Sequence, residues 1–305
     1  MVASAICGGG SMARGLPGEG LPPHSPLYPF VTQPFARRIV AALFAIAAAA
    51  ACSKDRSRSN SSRSVGVRSV KTRDSAAGSV DLGALGYKVA PLSAIGSISG
   101  TIKLAGGPRK DIEPVTVDQP FCGKTVDGAV SATARGLSNS VVWIADVKSG
   151  KSLPVARRSD LSSEDCVLDP RVQAAVVGTT FNVTNDDKLL HKLVFVEFGS
   201  DDTLTVMPFF NSGQVVASER LAKSPGIIEV RCAFHPWTRA YIAVFDHPYF
   251  AVTADDGSFT IDSLPAGTYR MMVWHEGAQK PVSQQVQVAA NGTAKVDVSI
   301  QVAAR

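Results

Sequence analysis

From residue 96 to residue 301 the sequence alternates between short apolar runs and clusters of turn-forming residues. One run, Ile98 to Leu104, alternates apolar with polar or small residues and stops at the turn residues Gly106-Gly107-Pro108. Runs of this length and period are typical of β-strands, with glycine, proline, asparagine and aspartate in the turns between them. Only residues 213–221 have a pattern compatible with a helix. The chain is therefore predicted to be all-β, with its strands packed as a sandwich.

Two folded units are predicted from the positions of these runs. In the first unit, the further strands are predicted at 141–145, 173–183 (a strand, a turn and a strand), 191–197, 203–207, 226–232 and 240–245. A smaller unit begins near Asp246 and contains a hairpin around Asp255-Asp256-Gly257. At about 57 residues it is small for an independent core. We therefore expect it to pack on the first unit, or to complete a sheet with the strand at 96–104.

The first 92 residues are not expected to belong to either folded unit. Residues 1–36 are rich in glycine and proline, and are predicted to be disordered or to lie upstream of the true start. Residues 37–52 have the layout of an export signal: two arginines, an apolar run too short to span a bilayer, and three alanines before Cys52. Because this layout resembles the lipobox of bacterial lipoproteins, Cys52 is the predicted lipidation site. An ordinary cleaved signal is the alternative.

Residues 53–92 are predicted to be a disordered basic tether. Seven basic residues and one acidic residue lie between Ser53 and Arg73, whereas the whole chain has a net charge of +5, so the folded part is mildly acidic. A serine- and arginine-rich tract cannot bury apolar surface. Beside a lipid anchor, it is expected to lie against anionic headgroups of the membrane. Nucleic acid is not an expected partner, because an exported chain rarely meets it.

Cys232 and His235 lie where one apolar strand ends and before the next one begins. A strand that delivers Cys232 into a short loop containing His235 can place a thiolate and an imidazole on one metal ion. His191 starts another apolar run and can supply a second imidazole. One thiolate and two imidazoles in a trigonal arrangement are the ligands of an electron-transfer copper site. We therefore predict that His191, Cys232 and His235 bind copper.

Cysteine counting leaves one economical pairing. Of the five cysteines, Cys7 lies upstream of the export signal and Cys52 is the predicted anchor. An oxidising compartment favours disulfides, but the remaining three cysteines cannot all pair within one chain. Because Cys232 has a ligand-like neighbour, the economical assignment is a disulfide between Cys122 and Cys166. The sequence alone does not fix this connectivity.

Several motifs taken together resemble a bacterial family of exported plastocyanin-like proteins. They are residues 232–237 (CAFHPW), 246–253 (DHPYFAVT), 256–259 (DGSF), 265–269 (PAGTY) and 274–276 (WHE), preceded by a first histidine region that contains Phe181, Asn185-Asp186 and His191. The resemblance covers roughly residues 95–300. It implies a Greek-key cupredoxin sandwich at 93–245, whose first strands are also candidates for pairing with the second domain. It further implies a carboxypeptidase regulatory-like, transthyretin-type β-sandwich at 246–302.

The resemblance also implies a function and a set of supporting residues. Type 1 copper would carry single electrons to a redox partner protein in the envelope, from a periplasmic or outer-membrane-anchored position. The family usually has a methionine after Pro-Trp as a weak axial ligand, and Thr238 stands there in this chain. Met207 and His275 are the other candidates for an axial or supporting position. His235 is expected to be the solvent-facing ligand.

Two further departures from the family leave a second interpretation open. Lys192 stands where the family has asparagine after the first histidine, and Arg171 stands where it often has histidine. The alternative is a metal-free β-sandwich of the cell envelope that binds or scaffolds other molecules and retains a degenerate copper site. No hydrolase triad, phosphate-binding loop or paired-carboxylate motif stands out, so no enzymatic activity is expected under either interpretation.

Overall fold

The computed structural model describes residues 86–200, 202–278 and 280–303. The predicted segments 1–36 and 37–52, the lipidation site Cys52 and residues 53–85 of the predicted tether lie outside the described residues. The end of that tether is described, and Lys88–Val89 forms a strand that pairs in parallel with Ser149–Gly150. Residues 88–89 therefore differ from the predicted disordered tether, because they are hydrogen-bonded to the folded part.

Short strands make up nearly all of the described chain. The single helix described, α1, is Gln119–Cys122. The strands are β1 Lys88–Val89, β2 Ile95–Leu104, β3 Arg109–Pro114, β4 Thr125–Ala132, β5 Val141–Ala145, β6 Ser149–Gly150, β7 Arg158–Glu164, β8 Val167–Asp169, β9 Val172–Val176, β10 Thr180–Asn185, β11 His191–Glu197, β12 Thr203–Phe209, β13 Gln214–Ser218, β14 Gly226–Cys232, β15 Arg239–Phe245, β16 Phe250–Val252, β17 Ser258–Pro265, β18 Gly267–Trp274, β19 Val282–Val288, β20 Thr293–Lys295 and β21 Val298–Ile300. The all-β prediction is confirmed.

The first sandwich contains strands β7 to β15. One sheet has the order β13-β10-β7-β8 and the other has the order β12-β11-β14-β15-β9. The chain crosses repeatedly between the two sheets, as in a Greek-key sandwich. Apolar side chains from alternate positions of both sheets fill the space between them, including Phe181, Phe195 and Val230.

The second sandwich is assembled from both ends of the described chain. One sheet has the order β16-β5-β18-β19, and the other has the order β17-β2-β20, with β21 also paired to β2. Their shared core includes Ile98, Ile144 and Met271. Pairing of β2 with this sandwich was anticipated as one possibility. Pairing of β5 was not, so the structure differs from the boundary predicted for the first domain at residue 93.

Strand β15 is buried on both of its faces. In β15, Ala240, Ile242 and Val244 face the core of the first sandwich. Tyr241, Ala243 and Phe245 belong to a different cluster, in which they pack with Trp143 and Trp274 of the second sandwich. Side chains alternate between the two faces of a strand, so a strand covered on both sides is apolar at nearly every position. The two sandwiches thus form four stacked sheets with three apolar layers between them.

A buried ion pair joins the two sandwiches beside the third layer. Arg171 lies just before β9, and its guanidinium donates hydrogen bonds of 2.5 and 2.9 Å to the two carboxylate oxygens of Glu276. The Glu276 side chain has no solvent exposure, and that of Arg171 is 16% exposed. A bidentate pair of this kind fixes both distance and orientation. Arg171 therefore links the sandwiches.

Residues 213–221, whose sequence pattern is compatible with a helix, do not form one. Residues 214–218 form β13, which pairs along its length with β10. Val215 and Val216 are β-branched and favour strands, and the cross-strand pairing outweighs the weak helical period of this segment. In the described ranges, nothing helical has the length and hydropathy required of a membrane span.

Candidate metal centre

Two neighbouring strands and one loop bring the predicted ligands together. His191 is the first residue of β11, and Cys232 is the last residue of β14. These strands pair antiparallel, with Leu193 opposite Cys232, so the start of one lies beside the end of the other. His235 lies in the loop between β14 and β15, where its carbonyl accepts a hydrogen bond of 2.9 Å from the Thr238 amide.

The three donor atoms converge on one point. Cys232 Sγ lies 3.4 Å from His191 Nδ1 and 3.5 Å from His235 Nδ1. The two Nδ1 atoms are 3.3 Å apart. An ion held at about 2.0–2.3 Å by nitrogen and sulfur ligands in tetrahedral directions has its donor atoms roughly 3.3–3.6 Å apart. The spacing of the three residues therefore fits a metal ion of this size.

The protonation of the two histidines supports the same conclusion. Each ring directs Nε2 at a carboxylate oxygen, Asp187 for His191 and Asp118 for His235. A carboxylate only accepts hydrogen bonds, so each Nε2 carries a proton, and Nδ1 is the nitrogen that faces Cys232. A buried space lined by one sulfur and two ring nitrogens favours a positive charge, either a proton on the His191 ring or a metal ion. This donor set fits a metal ion.

Asp187 holds His191 from the side opposite the sulfur. Its carboxylate lies 2.9 Å from His191 Nε2 and accepts a hydrogen bond of 2.6 Å from Ser163 Oγ. The Cys166 amide also donates to it, at 3.2 Å. Asn185 shapes the loop by accepting a hydrogen bond from the Asp187 amide and donating to the Leu189 carbonyl. A carboxylate on the distal ring nitrogen is the usual way in which a metal-binding histidine is oriented.

His235 is covered, and the prediction that it is the solvent-facing ligand is wrong. It is 1% exposed. Its Nε2 lies 3.1 Å from Asp118 Oδ2, and the Asp118 side chain is 48% exposed. Asp118, rather than the imidazole, therefore forms the solvent-facing edge of the site. Trp237, whose ring centroid is 5.4 Å from that of His235, covers a further part of the ring.

Hydrogen bonds in the site raise the pKa of His191 and lower the pKa of Cys232. Burial alone would lower the pKa of His191, but hydrogen bonds to Asp187 and Cys232 outweigh it and raise this pKa to about 9. Burial would raise the pKa of Cys232, but hydrogen bonds from His191 and from backbone groups of neighbouring residues lower it to about 6. Cys232 is thus a thiolate near neutral pH, the form in which a cysteine binds a metal.

Thr238, one of the predicted supporting residues, closes the ligand loop. Its carbonyl accepts a hydrogen bond of 3.1 Å from the Cys232 amide. Its hydroxyl donates to the Cys166 carbonyl. The side chain is fully buried. The threonine hydroxyl is therefore directed to the backbone of Cys166, where it ties the loop to the turn between β7 and β8.

Met207 and His275, the other two candidates for a supporting position, lie in different sandwiches. Met207 is opposite Leu193, which is itself opposite Cys232, so it shares a face with Cys232 two strands away, roughly 10 Å between Cα atoms. It packs in the core of the first sandwich. His275 follows β18 in the second sandwich, where its Nδ1 accepts a hydrogen bond from the Gly277 amide. In the described part of the chain, it is not among the groups whose donor atoms converge on a metal-sized space.

The structure contains the disulfide between Cys122 and Cys166. Among the described residues, Cys232 is the free cysteine, and it is buried. Within the part of the chain that the structure describes, two other groups of potential ligands converge, and both include Cys166. Because the Cys166 sulfur is bonded to Cys122, it is not available as a thiolate, the form in which a cysteine binds a metal.

The two carboxylates of the site were not among the predicted residues. Asp187 directly follows the Asn185-Asp186 pair of the first histidine region, and it lies four residues before His191. That spacing is a usable signal, because it places Asp187 in the short loop that leads directly into β11. Asp118 is 117 positions from His235 along the chain. Local sequence contains no sign of this contact.

A known domain family matches only the C-terminal part of the chain. Residues 235–301 match the carboxypeptidase regulatory-like domain. This match includes β16 to β21 but neither β2 nor β5, which occupy central positions in the same two sheets. A search among curated proteins gives no match.

Similar solved structures include an auracyanin, a purple cupredoxin and a Cu-containing nitrite reductase. Auracyanin from Roseiflexus castenholzii is 16% identical, with 31% of this chain and 100% of that chain covered and a TM-score of 0.26. A purple cupredoxin from Nitrosopumilus maritimus is 19% identical, with 28% of this chain and 98% of that chain covered and a TM-score of 0.23. A Cu-containing nitrite reductase from Thermus scotoductus is 22% identical, with 33% of this chain and 24% of that chain covered and a TM-score of 0.26. This chain thus spans about a quarter of the length of the nitrite reductase.

Proposed function

We propose that the chain is an exported one-electron carrier that holds copper through His191, Cys232 and His235. The observation that supports this proposal is the convergence of one thiolate and two imidazole Nδ1 atoms within 3.5 Å of one another. Copper bound by such a set alternates between its two oxidation states. A weak axial ligand, or none, is compatible with that chemistry, since the axial ligand tunes the potential of the site.

The residues of the chain supply rigidity and a dry environment. His191 and Cys232 belong to paired strands, and His235 is fixed by hydrogen bonds of its ring and backbone. All three ligands are buried, with exposures of 0%, 5% and 1%. Ligands held in one geometry need little rearrangement when the charge of the site changes, which favours electron transfer. Electron carriage, rather than enzymatic catalysis, is the proposed activity.

The proposed location and partners rest on the N-terminal sequence. Residues 37–52 are proposed to be an export signal, and Cys52 is the proposed lipid anchor. The basic segment after it would keep the folded part near an anionic membrane surface. The proposed partner is a redox protein of the cell envelope.

Copper titration tests the proposed site. The full chain is used in a background in which Cys7 and Cys52 are replaced by serine, so that Cys232 is the free thiol. We expect uptake of one copper ion per chain, with a strong visible absorption from thiolate-to-copper charge transfer. Cys232→Ser is expected to abolish this band while the far-ultraviolet circular dichroism stays unchanged.

A second series separates a specific site from adventitious copper. His275→Gln removes a buried histidine of the second sandwich that does not converge with the ligands, and it is expected to leave the band unchanged. His191→Gln is expected to abolish it. If the folded wild-type chain, with the Cys122–Cys166 disulfide intact and Cys232 as a free thiol, takes up no copper, the electron-carrier proposal is refuted, and a metal-free envelope scaffold is the interpretation that remains.

A further inference from the structure

A short segment outside both sandwiches covers the metal centre. Residues 115–123, here called the cap segment, contain Asp118 and the helix α1. The segment is closed at its base by a hydrogen bond of 2.9 Å from the Val115 amide to the Lys124 carbonyl. Gln119 Nε2 also donates to the Val115 carbonyl at 2.7 Å. The cap segment is therefore a folded loop with its own internal hydrogen bonds.

Asp118 occupies the N-cap position of α1 but does not cap the helix with its side chain. Its carbonyl accepts hydrogen bonds from the amides of Phe121 and Cys122, while its side chain makes no capping hydrogen bond. Aspartate at this position usually binds the free amides of the first turn. Here its carboxylate is directed at His235 Nε2, 3.1 Å away. Its backbone has φ 53° and ψ 27°, in the left-handed region that non-glycine residues seldom adopt.

A covalent bond and a small apolar cluster keep the cap segment in place. Cys122, at the end of α1, is bonded to Cys166, in the turn between β7 and β8. Both cysteines are buried in one cluster with Val115, Val126 and Trp237. A backbone conformation that is unfavourable by itself persists when its surroundings fix it. The disulfide and this cluster supply that constraint for Asp118.

We propose that the cap segment is a clamp, in which the Cys122–Cys166 bond holds Asp118 against His235 and Asp118 orients the imidazole with Nδ1 towards Cys232. Asp118 is thus a positioning residue that does not touch the ion. His191 is held by a different carboxylate, Asp187, which accepts hydrogen bonds from Ser163 and from the backbone amide of Cys166, a group that remains when the disulfide is opened. The two histidines are therefore oriented by two different carboxylates, and opening the disulfide is expected to release the one that holds His235. The consequence for bound metal rests on the proposed function, whereas the orientation of the ring does not.

The orientation of the ring is tested in the metal-free chain, in the background with serine at positions 7 and 52. Nuclear magnetic resonance of ¹⁵N-histidine reports the protonation of each ring nitrogen, and a His235→Gln variant assigns the His235 signals. In the wild type we expect a single His235 state with Nε2 protonated. Asp118→Gly removes the carboxylate and tolerates the left-handed backbone, and it is expected to produce mixed or broadened His235 signals. Asp118→Asn retains an acceptor oxygen and is expected to restore the single state.

Opening the disulfide is expected to act on the same histidine. The Cys122→Ala/Cys166→Ala double variant should change the His235 signals as Asp118→Gly does and leave those of His191 unchanged. Adding Asp118→Gly to it should have no further effect, because groups that act through one contact are not additive. Asp127→Asn, an exposed acid on β4, is the matched control and is expected to change neither ring.

Release of bound copper to a chelator gives a second readout. A support of this kind typically contributes 10–100-fold to metal affinity, so we expect release from Asp118→Gly to be about 10–100-fold faster than from Asp127→Asn. Unchanged His235 signals in Asp118→Gly overturn the clamp. If the wild type binds no copper, the proposed function fails, and the metal-free spectra still decide whether Asp118 orients His235.

Discussion

Asp187 is the residue on which the position of His191 depends. It makes a contact of 2.9 Å with the ring and receives hydrogen bonds from Ser163 and the Cys166 amide. These bonds outweigh burial and lower the pKa of its carboxyl group, so Asp187 is charged at neutral pH. A charged, hydrogen-bonded carboxylate holds the imidazole ring in one orientation, with Nδ1 towards Cys232.

Asp187→Asn is therefore expected to weaken metal binding. The amide nitrogen cannot accept the Nε2 proton, and the remaining amide oxygen is a weaker acceptor, so we expect the affinity for copper to fall about 10–100-fold. Competition with a chelator measures this change. Asp186→Asn makes the same charge change at the adjacent, exposed position and serves as the control. Equal affinities of the two variants would contradict the role of Asp187.

His247 makes the stability of the chain sensitive to acid. Its ring is 1% exposed, and its Nδ1 accepts a hydrogen bond of 3.2 Å from the Tyr249 amide. Burial lowers its pKa to about 4, although the nearby Asp246 opposes this shift. The unfolded chain binds a proton at His247 below about pH 6.5, whereas the folded chain binds it only near pH 4. Proton binding at His247 therefore has no effect on the free energy of unfolding above pH 6.5. As the pH falls from 6.5 to 4, it increasingly favours the unfolded chain and lowers the free energy of unfolding.

Chemical unfolding at several pH values tests this dependence. Between pH 6.5 and 4 the wild type is expected to lose up to about 3 kcal/mol of unfolding free energy through His247. His247→Gln does not titrate, so its unfolding free energy should fall by correspondingly less over the same range, whatever its absolute stability. Parallel pH profiles for the two proteins would show that His247 is not the group responsible.

At the scale of elements, β2 is the central strand of its sheet and depends on a close approach at Gly100. A side-chain carbon at this position would lie 1.7 Å from the Val296 carbonyl oxygen, which belongs to the short connection between β20 and β21. Both of those strands pair with β2, on either side of this point. The glycine therefore lets one strand receive two partners in succession.

Gly100→Ala is expected to destabilise the second sandwich. The neighbouring atoms are backbone and cannot rotate away, so the sheet must shift, with a loss of about 1–3 kcal/mol in unfolding free energy. Gly267→Ala on β18 is the control, because its nearest neighbours would lie at an ordinary 3.6 Å. Denaturant titration compares the two variants. A loss no larger than that of the control would mean that the connection yields easily.

The elements were predictable to the extent that their partners lie nearby in sequence. The runs at β2, β11, β14 and β15 alternate clearly, and the turn residues between them are strong signals. The segment of β13 was misjudged, because its structure depends on pairing with the distant β10. Similarly, the ligand trio is readable from residue types and strand ends. Asp118 is not, because its contact is created by a disulfide and a loop far along the chain.

At the scale of the whole molecule, the first sandwich is inserted within the second. Strands β2 and β5 come before it in the chain, and β16 to β21 follow it. The pairing of β2 with the second sandwich was one possibility raised by the sequence, but that of β5 was not, because the apolar period of β5 indicates a buried strand without indicating which sheet receives it. The matched family domain, residues 235–301, is thus one part of the second sandwich.

The fragment 246–305 is therefore expected to remain unfolded. It lacks β5, which lies between β16 and β18, and β2, which lies between β17 and β20. Without these central strands, most of the remaining strands lose a hydrogen-bonded neighbour, and the core between the sheets loses one wall. Proton chemical-shift dispersion of the purified fragment, compared with that of the full chain, is the measurement. A well-dispersed fragment spectrum would contradict this prediction.

The nesting also fixes the order in which the chain can mature. During synthesis or passage across a membrane, β2 and β5 emerge early, and their neighbours β16 to β18 emerge only after the whole inserted sandwich. Until then the apolar sides of these early strands have no permanent cover, which is the condition under which unfinished chains adhere to one another. A chain that ended at residue 245 would keep these apolar sides uncovered, because it lacks every strand from β16 to β21.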